Sequence, residues 1–138
     1  MKLLTVGYGG RKPDELVALL RAADIRTLVD VRLRPDKASM GVFALSKNSQ
    51  KGIQGLLANA GIQYVSFVEM GNMFYGRPDW VQRYRHLIER AGDLLMERLS
   101  EVQGPACLMC AEKHATECHR SILGDYLKKQ GHDVEHLE

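Results

Sequence analysis

The residue types best suited to chemistry lie close together, in the stretch 110–120. Cys110-Ala111-Glu112-Lys113 is followed, after a short gap, by Cys118-His119-Arg120. A thiol can act as a nucleophile, a carboxylate or an imidazole can transfer protons, and lysine and arginine bind anions. Considered alone, Cys110 is more often a packing residue than a nucleophile. The ionisable side chains around it make a catalytic role as good an interpretation as packing.

Three cysteines, Cys107, Cys110 and Cys118, lie within twelve residues. Cys107 and Cys110 are three apart on a predicted strand and point to opposite faces, which disfavours a zinc knuckle because that motif needs a turn. We expect Cys107 to be buried and unreactive, and Cys118 to be a structural residue at the base of the last helix. The odd number of cysteines and the lack of a secretory signal predict three reduced thiols and no bound metal. The alternative is a zinc site made of Cys110, Cys118 and a histidine.

Cys110 ends a predicted strand and faces the start of the next helix. A thiolate there would be stabilised by the helix dipole and by Lys113 or Arg120, and its sulfur could lie close to that of Cys118. Phosphatases and rhodanese-type proteins place a short anion-binding loop between their cysteine and arginine. Nine residues separate Cys110 from Arg120, so that motif is absent.

An acidic and a basic residue, Asp30 and Arg32, end the second predicted strand. They are two residues apart and therefore share one side of it. Burying such a pair is costly unless both members find partners. One interpretation is a structural ion pair that holds the following loop. The other is that Asp30 orients Arg32 toward a substrate.

The ends of the first and third predicted strands add further candidates. Tyr8-Gly9-Gly10-Arg11 is not a dinucleotide fingerprint, because Lys12 occupies the third glycine position. It is either an ordinary glycine turn or a backbone amide cradle for an anion, with Arg11 as the counter-charge. Glu69 is either a solvated carboxylate or a third charged group on the same edge of the sheet.

The charge distribution is uneven although the net charge is only +2. Residues 1–51 contain ten of the 19 basic residues but only five of the 17 acidic ones. The excess is concentrated in the segment 32–51, which is either a solvated loop or an anion-attracting lip beside a site. The loop 71–78, rich in glycine and aromatic residues, is a second irregular segment.

Short apolar runs alternate with amphipathic segments along the 138 residues. We predict strands near 3–6, 27–31, 62–68, 106–110 and 133–137, and helices near 14–23, 54–60, 79–101 and 115–130. This alternation predicts one α/β domain over 1–138, with three layers and a mainly parallel five-stranded sheet that carries helices on both faces. No apolar run is long enough for a membrane span or a signal peptide, so we expect a cytoplasmic protein that does not contact membranes.

The expected order of the strands places the first between the second and the fourth, where a doubly wound sheet has its switch point. Right-handed crossovers put all strand-to-helix loops on one edge of the sheet, and ligands bind at that edge. In this arrangement Arg32 and Lys113 come from different strands and approach each other. The candidate residues would then surround one cleft.

The motifs together resemble the Domain of Unknown Function 488 family. The resemblance rests on Thr5-Val6-Gly7, Val29-Asp30-Val31-Arg32, Glu69-Met70-Gly71 and above all Cys110-Ala111-Glu112-Lys113 with Cys118-His119-Arg120-Ser121. It implies a compact α/β domain with a charged, cysteine-bearing cleft and no established activity. The chain departs from the family pattern in two places. His114-Ala115 replaces the usual Asp-Pro, and Tyr8-Gly9 replaces a frequent histidine and serine.

Three functions are compatible with these residues. The first is an enzyme that acts on a phosphorylated or nucleic-acid-type anionic substrate, the second a non-catalytic nucleotide or nucleic-acid binding module, and the third a thiol-redox or cysteine-nucleophile protein that uses Cys110 and Cys118. No cofactor is expected, and the sequence does not indicate an oligomeric state. The candidate catalytic residues are Asp30, Cys110, Glu112 and His119, and the candidate substrate-binding residues are Tyr8, Arg11, Arg32, Glu69, Lys113 and Arg120.

Overall fold

A five-stranded parallel sheet forms the centre of the molecule in the computed structural model, which describes residues 2–138. Its strands are β1 (Lys2–Gly7), β2 (Thr27–Asp30), β3 (Gln63–Ser66), β4 (Ala106–Cys110) and β5 (Asp133–His136). The α-helices are α1 (Pro13–Ala22), α2 (Gly52–Asn59), α3 (Trp80–Leu95) and α4 (Arg120–Lys129). The predicted three-layer α/β architecture is confirmed. Among these residues no helix is both long and apolar enough to cross a bilayer.

The predicted strand order is wrong. The order is β3-β2-β4-β1-β5. The strand β4 therefore lies between β2 and β1, whereas the prediction placed β1 between β2 and β4. A crossover makes two strands parallel, but a later strand can still enter the gap between them. All five residues of β4 are buried and uncharged, which suits the most covered position in the sheet. The carboxyl ends of β2 and β4 therefore lie side by side, directly rather than across β1.

Alternation of side chains along the strands divides the core into two apolar layers. Leu3 belongs to the layer that contains the buried faces of α3 and α4, and Leu4 to the layer that contains those of α1 and α2. Cys110 and Cys118 lie in the first layer, and Cys107 lies in the second. The prediction that Cys107 and Cys110 point to opposite faces is confirmed.

The third helix is shorter than predicted. It ends at Leu95, and the segment Glu97–Glu101 forms a separate 3-10 turn. Asp79 precedes the helix but makes no side-chain cap bond, because its carboxylate instead accepts a 2.7 Å hydrogen bond from Arg83. Gly92 is a packing position: a Cβ there would lie 2.7 Å from the ring of Tyr126 on α4. The glycine thus permits close approach of the two helices.

The last helix begins later than predicted. Ala115–Glu117 is a single 3-10 turn, and α4 starts only at Arg120. Cys118, between them, is extended with φ −131° and ψ 150°, which interrupts the helical hydrogen bonds. Cys118 is therefore part of the loop that leads into α4 rather than of its first turn. It is nevertheless buried, as expected.

We expect Gly7→Ala to destabilise the protein by about 3 kcal/mol, because overpacking against rigid atoms forces the backbone to move. A Cβ at Gly7 would lie 1.6 Å from the backbone oxygen of Glu112. Gly41→Ala is the control, since a Cβ there meets no atom of the described chain within 4 Å beyond its sequence neighbours. Urea unfolding should show a change of at most about 0.5 kcal/mol for the control. Equal stability of the two variants would contradict the packing at Gly7.

Candidate functional site

A cleft of about 650 Å³ opens at the carboxyl ends of β1, β2 and β4. Parallel α/β sheets bind ligands at this edge, and the volume suits a small molecule. Six residues singled out in the sequence line this cleft: Tyr8, Arg32, Cys110, Glu112, Cys118 and His119.

Asp30 and Arg32 form a buried ion pair at the floor of this cleft. Nε and Nη2 of Arg32 donate to the Asp30 carboxylate at 2.8 and 2.7 Å, and the Arg32 backbone amide donates at 3.1 Å. Nη1 of Arg32 is buried and has no hydrogen-bond partner within residues 2–138. Burial by itself would lower the pKa of Arg32, but the hydrogen bonds and charge of Asp30, with a smaller contribution from Tyr8, outweigh it and raise that pKa above its ordinary value. The interpretation as a structural ion pair is therefore confirmed, and Asp30 fixes the guanidinium of Arg32 at the floor of the cleft. The orientation of Arg32 toward a substrate stays a prediction.

Tyr64 completes the support of Asp30 and was not predicted from the sequence. Its hydroxyl donates to Oδ2 of Asp30 at 2.5 Å from the neighbouring strand β3. Burial and then the negative charge of Asp30 raise the pKa of Tyr64 above its ordinary value. A tyrosine in a predicted strand resembles a packing residue, so only the β2–β3 pairing reveals its role.

Arg120 was predicted to bind substrate, and the structure shows that its side chain is instead fully buried. Nη1 and Nη2 donate to the backbone oxygens of Glu112 and Lys113 at 2.6 and 2.9 Å, and Nε donates to Thr5 Oγ1 at 3.1 Å. Nη1 also lies 3.1 Å from Cys110 Sγ. Burial lowers the pKa of Arg120. As the first residue of α4, Arg120 extends under the loop rather than into the cleft.

Cys110 and Cys118 are joined as a disulfide, with Cα atoms 7.2 Å apart. The prediction of three reduced thiols is therefore wrong for this pair. The extended residue before α4 brings Cys118 back onto the end of β4, so the two sulfurs lie close together, as the sequence allowed. Cys107 is free and buried, as expected, and burial raises the pKa of its thiol.

His119 lies beside this sulfur pair in a buried position. Its Nε2 is 2.9 Å from the backbone oxygen of Val31, so Nε2 carries the proton and donates it there. Nδ1 lies 3.4 Å from Cys118 Sγ, and the ring packs edge-on against Tyr84 with centroids 5.2 Å apart. Burial lowers the pKa of His119 to about 4. The imidazole is therefore neutral at pH 7.

Three other predicted substrate-binding residues lie outside the cleft lining. Arg11 donates from Nε to the Gly7 oxygen at 2.8 Å. Glu69 accepts two hydrogen bonds from Arg98 at 2.7 and 2.9 Å, and these hold its pKa below the ordinary value. The side chain of Lys113 is exposed, so the predicted approach of Arg32 and Lys113 within one cleft does not occur.

The rim of the cleft contains residues that motif analysis did not single out. They are basic, aromatic or polar: Arg34, Lys37, Asn72, Tyr75, Arg77 and Trp80. Two sequence signals pointed to them, the basic segment 32–51 and the aromatic loop 71–78. Neither signal indicates by itself which side chains face the site, because that depends on how the two loops pack.

No group of three or more His, Cys, Asp or Glu side chains in residues 2–138 is arranged to hold a metal ion. The histidine that would complete the zinc alternative, His119, has its Nε2 committed to Val31. The arrangement thus offers anion binding, proton transfer and sulfur chemistry.

A family model described as Domain of unknown function DUF488 matches residues 12–127. The chain belongs to the DUF488 family. The match includes Arg32 and the whole stretch 110–120, whereas Tyr8 lies before it. No curated protein and no solved structure matches the chain. The DUF488 assignment confirms the resemblance inferred from the motifs and leaves the activity to be argued from the cleft.

Lowering the pH from 7 to 5 should destabilise the protein by about 2 kcal/mol through His119. Its folded pKa of about 4 lies below the 6.5 of an unperturbed histidine. The unfolded chain therefore binds a proton that the folded chain does not, so stability is complete above pH 6.5 and is lost as the pH falls toward 4. Urea unfolding at both pH values measures the effect.

The matched variant for this measurement is His119→Gln, which removes the titrating group. It should show a smaller loss between pH 7 and 5 than the wild type. A remainder is expected from His136, because burial also lowers its pKa. An identical loss in the wild type and in His119→Gln would show that His119 does not titrate in this way.

Proposed function

We propose that this DUF488 chain is an enzyme that acts on a phosphorylated, nucleotide-type substrate in the cleft. The observation that carries the proposal is the buried Nη1 of Arg32, which has no partner among residues 2–138 at the floor of that cleft. A buried donor on a charged group is costly to leave unsatisfied. A phosphate oxygen would satisfy it.

Arg32 is prepared for an anion because its remaining donors are already fixed by Asp30. A guanidinium held in one orientation loses little conformational entropy when it binds. Arg34, Lys37 and Arg77 add positive charge at the rim, which would attract a phosphorylated ligand. Asp30 itself is fully enclosed, so we assign it a positioning role rather than the catalytic one considered from the sequence.

Aromatic side chains on the same cleft favour a ligand that carries a planar ring. Tyr75 and Trp80 line it, and Tyr75 is 79% exposed. An exposed tyrosine beside several cations is a typical surface for stacking a base. Tyr8 is less available, since it packs against Phe43 at 4.7 Å and lies under the guanidinium of Arg32.

Glu112 supports an enzyme rather than a passive receptor. Its half-buried carboxylate lines the cleft and forms no salt bridge with another of residues 2–138, so it could accept or donate a proton at a bound substrate. Arg120 holds the Glu112 backbone oxygen and thereby fixes the loop that carries this carboxylate.

The second candidate, a non-catalytic nucleotide or nucleic-acid binding module, is favoured by the state of His119. Its Nε2 is occupied by Val31, and the disulfide-bonded Cys118 lies against Nδ1. An imidazole enclosed in this way does not reach a substrate as a free acid or base. In that case the same cations and aromatic rings would recognise the ligand without turnover.

Arg32→Lys should lower the affinity for adenosine monophosphate about 10- to 100-fold, as expected when a charged hydrogen bond is lost. Lysine keeps a positive charge near Asp30 but cannot reproduce the fork of donors. Trp80 is the single tryptophan of the chain and lines the cleft, so its fluorescence reports binding directly.

The control for this binding experiment is Arg83→Lys, an exposed arginine paired with Asp79 outside the cleft lining. Its affinity should equal that of the wild type. An unchanged affinity in Arg32→Lys, with the fold intact by circular dichroism, would contradict the phosphate site. Arg32→Ala is unsuitable, because it would leave the Asp30 carboxylate buried and without its cation, at a cost of about 3–5 kcal/mol.

Glu112→Gln should slow turnover at least about 100-fold while leaving the affinity for adenosine monophosphate within a factor of about two. The amide has nearly the same shape but cannot accept the proton. Turnover is measured by phosphorus NMR with nucleoside mono-, di- and triphosphates. Binding of these compounds by the wild type with no product from any of them would favour the binding module.

A further inference from the structure

The sulfur atoms of Cys110 and Cys118 line the same cleft as the cations. The guanidinium of Arg120 lies beside the first sulfur and the imidazole of His119 beside the second. We propose that they form a redox-active dithiol–disulfide couple that exchanges with an anionic low-molecular-weight disulfide. This inference goes beyond the proposed function, because it rests on the sulfurs and their neighbours rather than on Arg32. It assigns Cys110 as the attacking sulfur and Cys118 as the resolving one.

The positions of the three cysteines separate reactive from inert sulfur. Cys110 and Cys118 both border the 650 Å³ cleft, so an incoming disulfide can approach them. Cys107 lies in the opposite apolar layer, is fully buried and has no access to that cleft. The chain thus contains its own control for thiol chemistry.

Arg120 makes Cys110 the better nucleophile. Its Nη1 lies 3.1 Å from Cys110 Sγ, and a guanidinium at that distance stabilises a thiolate. The other donors of Arg120 bind Thr5 and the oxygens of Glu112 and Lys113, which do not depend on the redox state of the sulfur. The cation therefore remains in place when the disulfide is reduced.

His119 serves the second sulfur. Because Nε2 donates to the Val31 oxygen, the lone pair of Nδ1 faces Cys118 Sγ at 3.4 Å. A neutral imidazole accepts a hydrogen bond from a thiol through this lone pair and thereby orients the thiol. His119 thus positions Cys118 toward Cys110, and the proton of Cys118 passes to solvent when Cys118 attacks.

The exchange is balanced as follows. The Cys110 thiolate attacks one sulfur of a disulfide RSSR, which forms a Cys110–SR bond, breaks the S–S bond and releases RS⁻. Cys118 then loses its proton to solvent and attacks Cys110 Sγ, which forms the Cys110–Cys118 bond and releases the second RS⁻. The two thiolates take up the two protons of the original dithiol. The dithiol is oxidised and RSSR is reduced to two RSH.

The charge of the cleft specifies the class of disulfide. Arg34, Lys37 and Arg77 line its rim, against the carboxylates of Glu112 and Glu117. An RSSR that carries carboxylates would be attracted to the three cations, whereas a cationic disulfide would be repelled.

The test equilibrates the full-length protein in buffers of reduced and oxidised glutathione, followed by an acid quench, alkylation of the unfolded chain in denaturant and intact mass spectrometry. The wild type should pass from three alkylated cysteines to one as the buffer becomes more oxidising, and Cys107→Ala should pass from two to none. Three alkylated cysteines in every buffer, or exchange at Cys107, would overturn the proposal.

Cys118→Ser tests the order of attack, because it removes the resolving thiol. It should retain one glutathione, which peptide mapping should locate on Cys110. The rate of formation of this adduct should reach half of its maximum at a pH well below the value of about 8.5 typical of a free thiol. Rapid quenching of the wild type gives the same information without a variant, as a transient adduct on Cys110. An adduct on Cys118 instead would overturn the assigned order.

The substrate class is tested by comparing oxidised glutathione with the cationic disulfide cystamine. Oxidised glutathione should react at least about 10-fold faster at low salt, and the difference should shrink at high salt. Equal rates, or a faster reaction with cystamine, would overturn the anionic class. Arg32→Lys separates the two proposals, because it should weaken phosphate binding and leave the number of exchangeable cysteines unchanged.

Discussion

The buried guanidinium of Arg120 is the interaction on which the cleft depends. It joins the first residue of α4 to Thr5 on β1 and to two backbone oxygens of the loop after β4. Thr5 in turn is 2.5 Å from Nδ1 of His136 on β5, so the contact extends across the sheet. Hydrogen bonds to a charged group are each worth about 1.5–3 kcal/mol, and several of them are needed to offset the burial of the charge. The position of Glu112 and of Cys110 follows from this contact.

Arg32 and Arg120 show two uses of a buried arginine. Arg120 directs its donors at oxygens and sulfur of the chain, so it holds structure together. Arg32 uses two nitrogens on Asp30 and leaves the third without a partner in residues 2–138. The first arrangement is saturated, and the second is open to a ligand. This difference is the physical basis for the proposal that Arg32 binds a ligand while Arg120 holds the structure together.

The cleft combines a fixed floor with an adaptable rim. Arg32, Cys110 and His119 are buried and are held by specific contacts. The rim residues Arg34 and Tyr75 are exposed, and side chains of this kind can adjust to different ligands. The proposed anion site and the sulfur pair can share one floor, because they use different atoms. The oxidation state of the sulfurs and the occupancy of the anion site can therefore be measured separately.

The sequence by itself determined the features that depend on local periodicity and residue type. Alternating apolar segments were sufficient for five strands and the three-layer architecture, and the spacing of Cys107 and Cys110 placed them on opposite faces. Four short motifs, above all the one around Cys110 and Arg120, were the basis of the resemblance to the DUF488 family, and the match over residues 12–127 confirms that family. In each case the signal lies in neighbouring residues, since the period of a strand or a helix is a local property.

Only the tertiary structure decided which strand is central and where each charged side chain points. The crossover from β1 to β2 leaves space for a strand between them, and β4 occupies that space. No residue within β1 or β2 indicates this arrangement. The direction of the Arg120 side chain depends on the extended conformation of Cys118. Because of it α4 begins only at Arg120, and the arginine points under the loop. Tyr64 supports Asp30 only because β3 pairs with β2. These outcomes require contacts between segments far apart in the chain, and the energy of such contacts is absent from any local pattern.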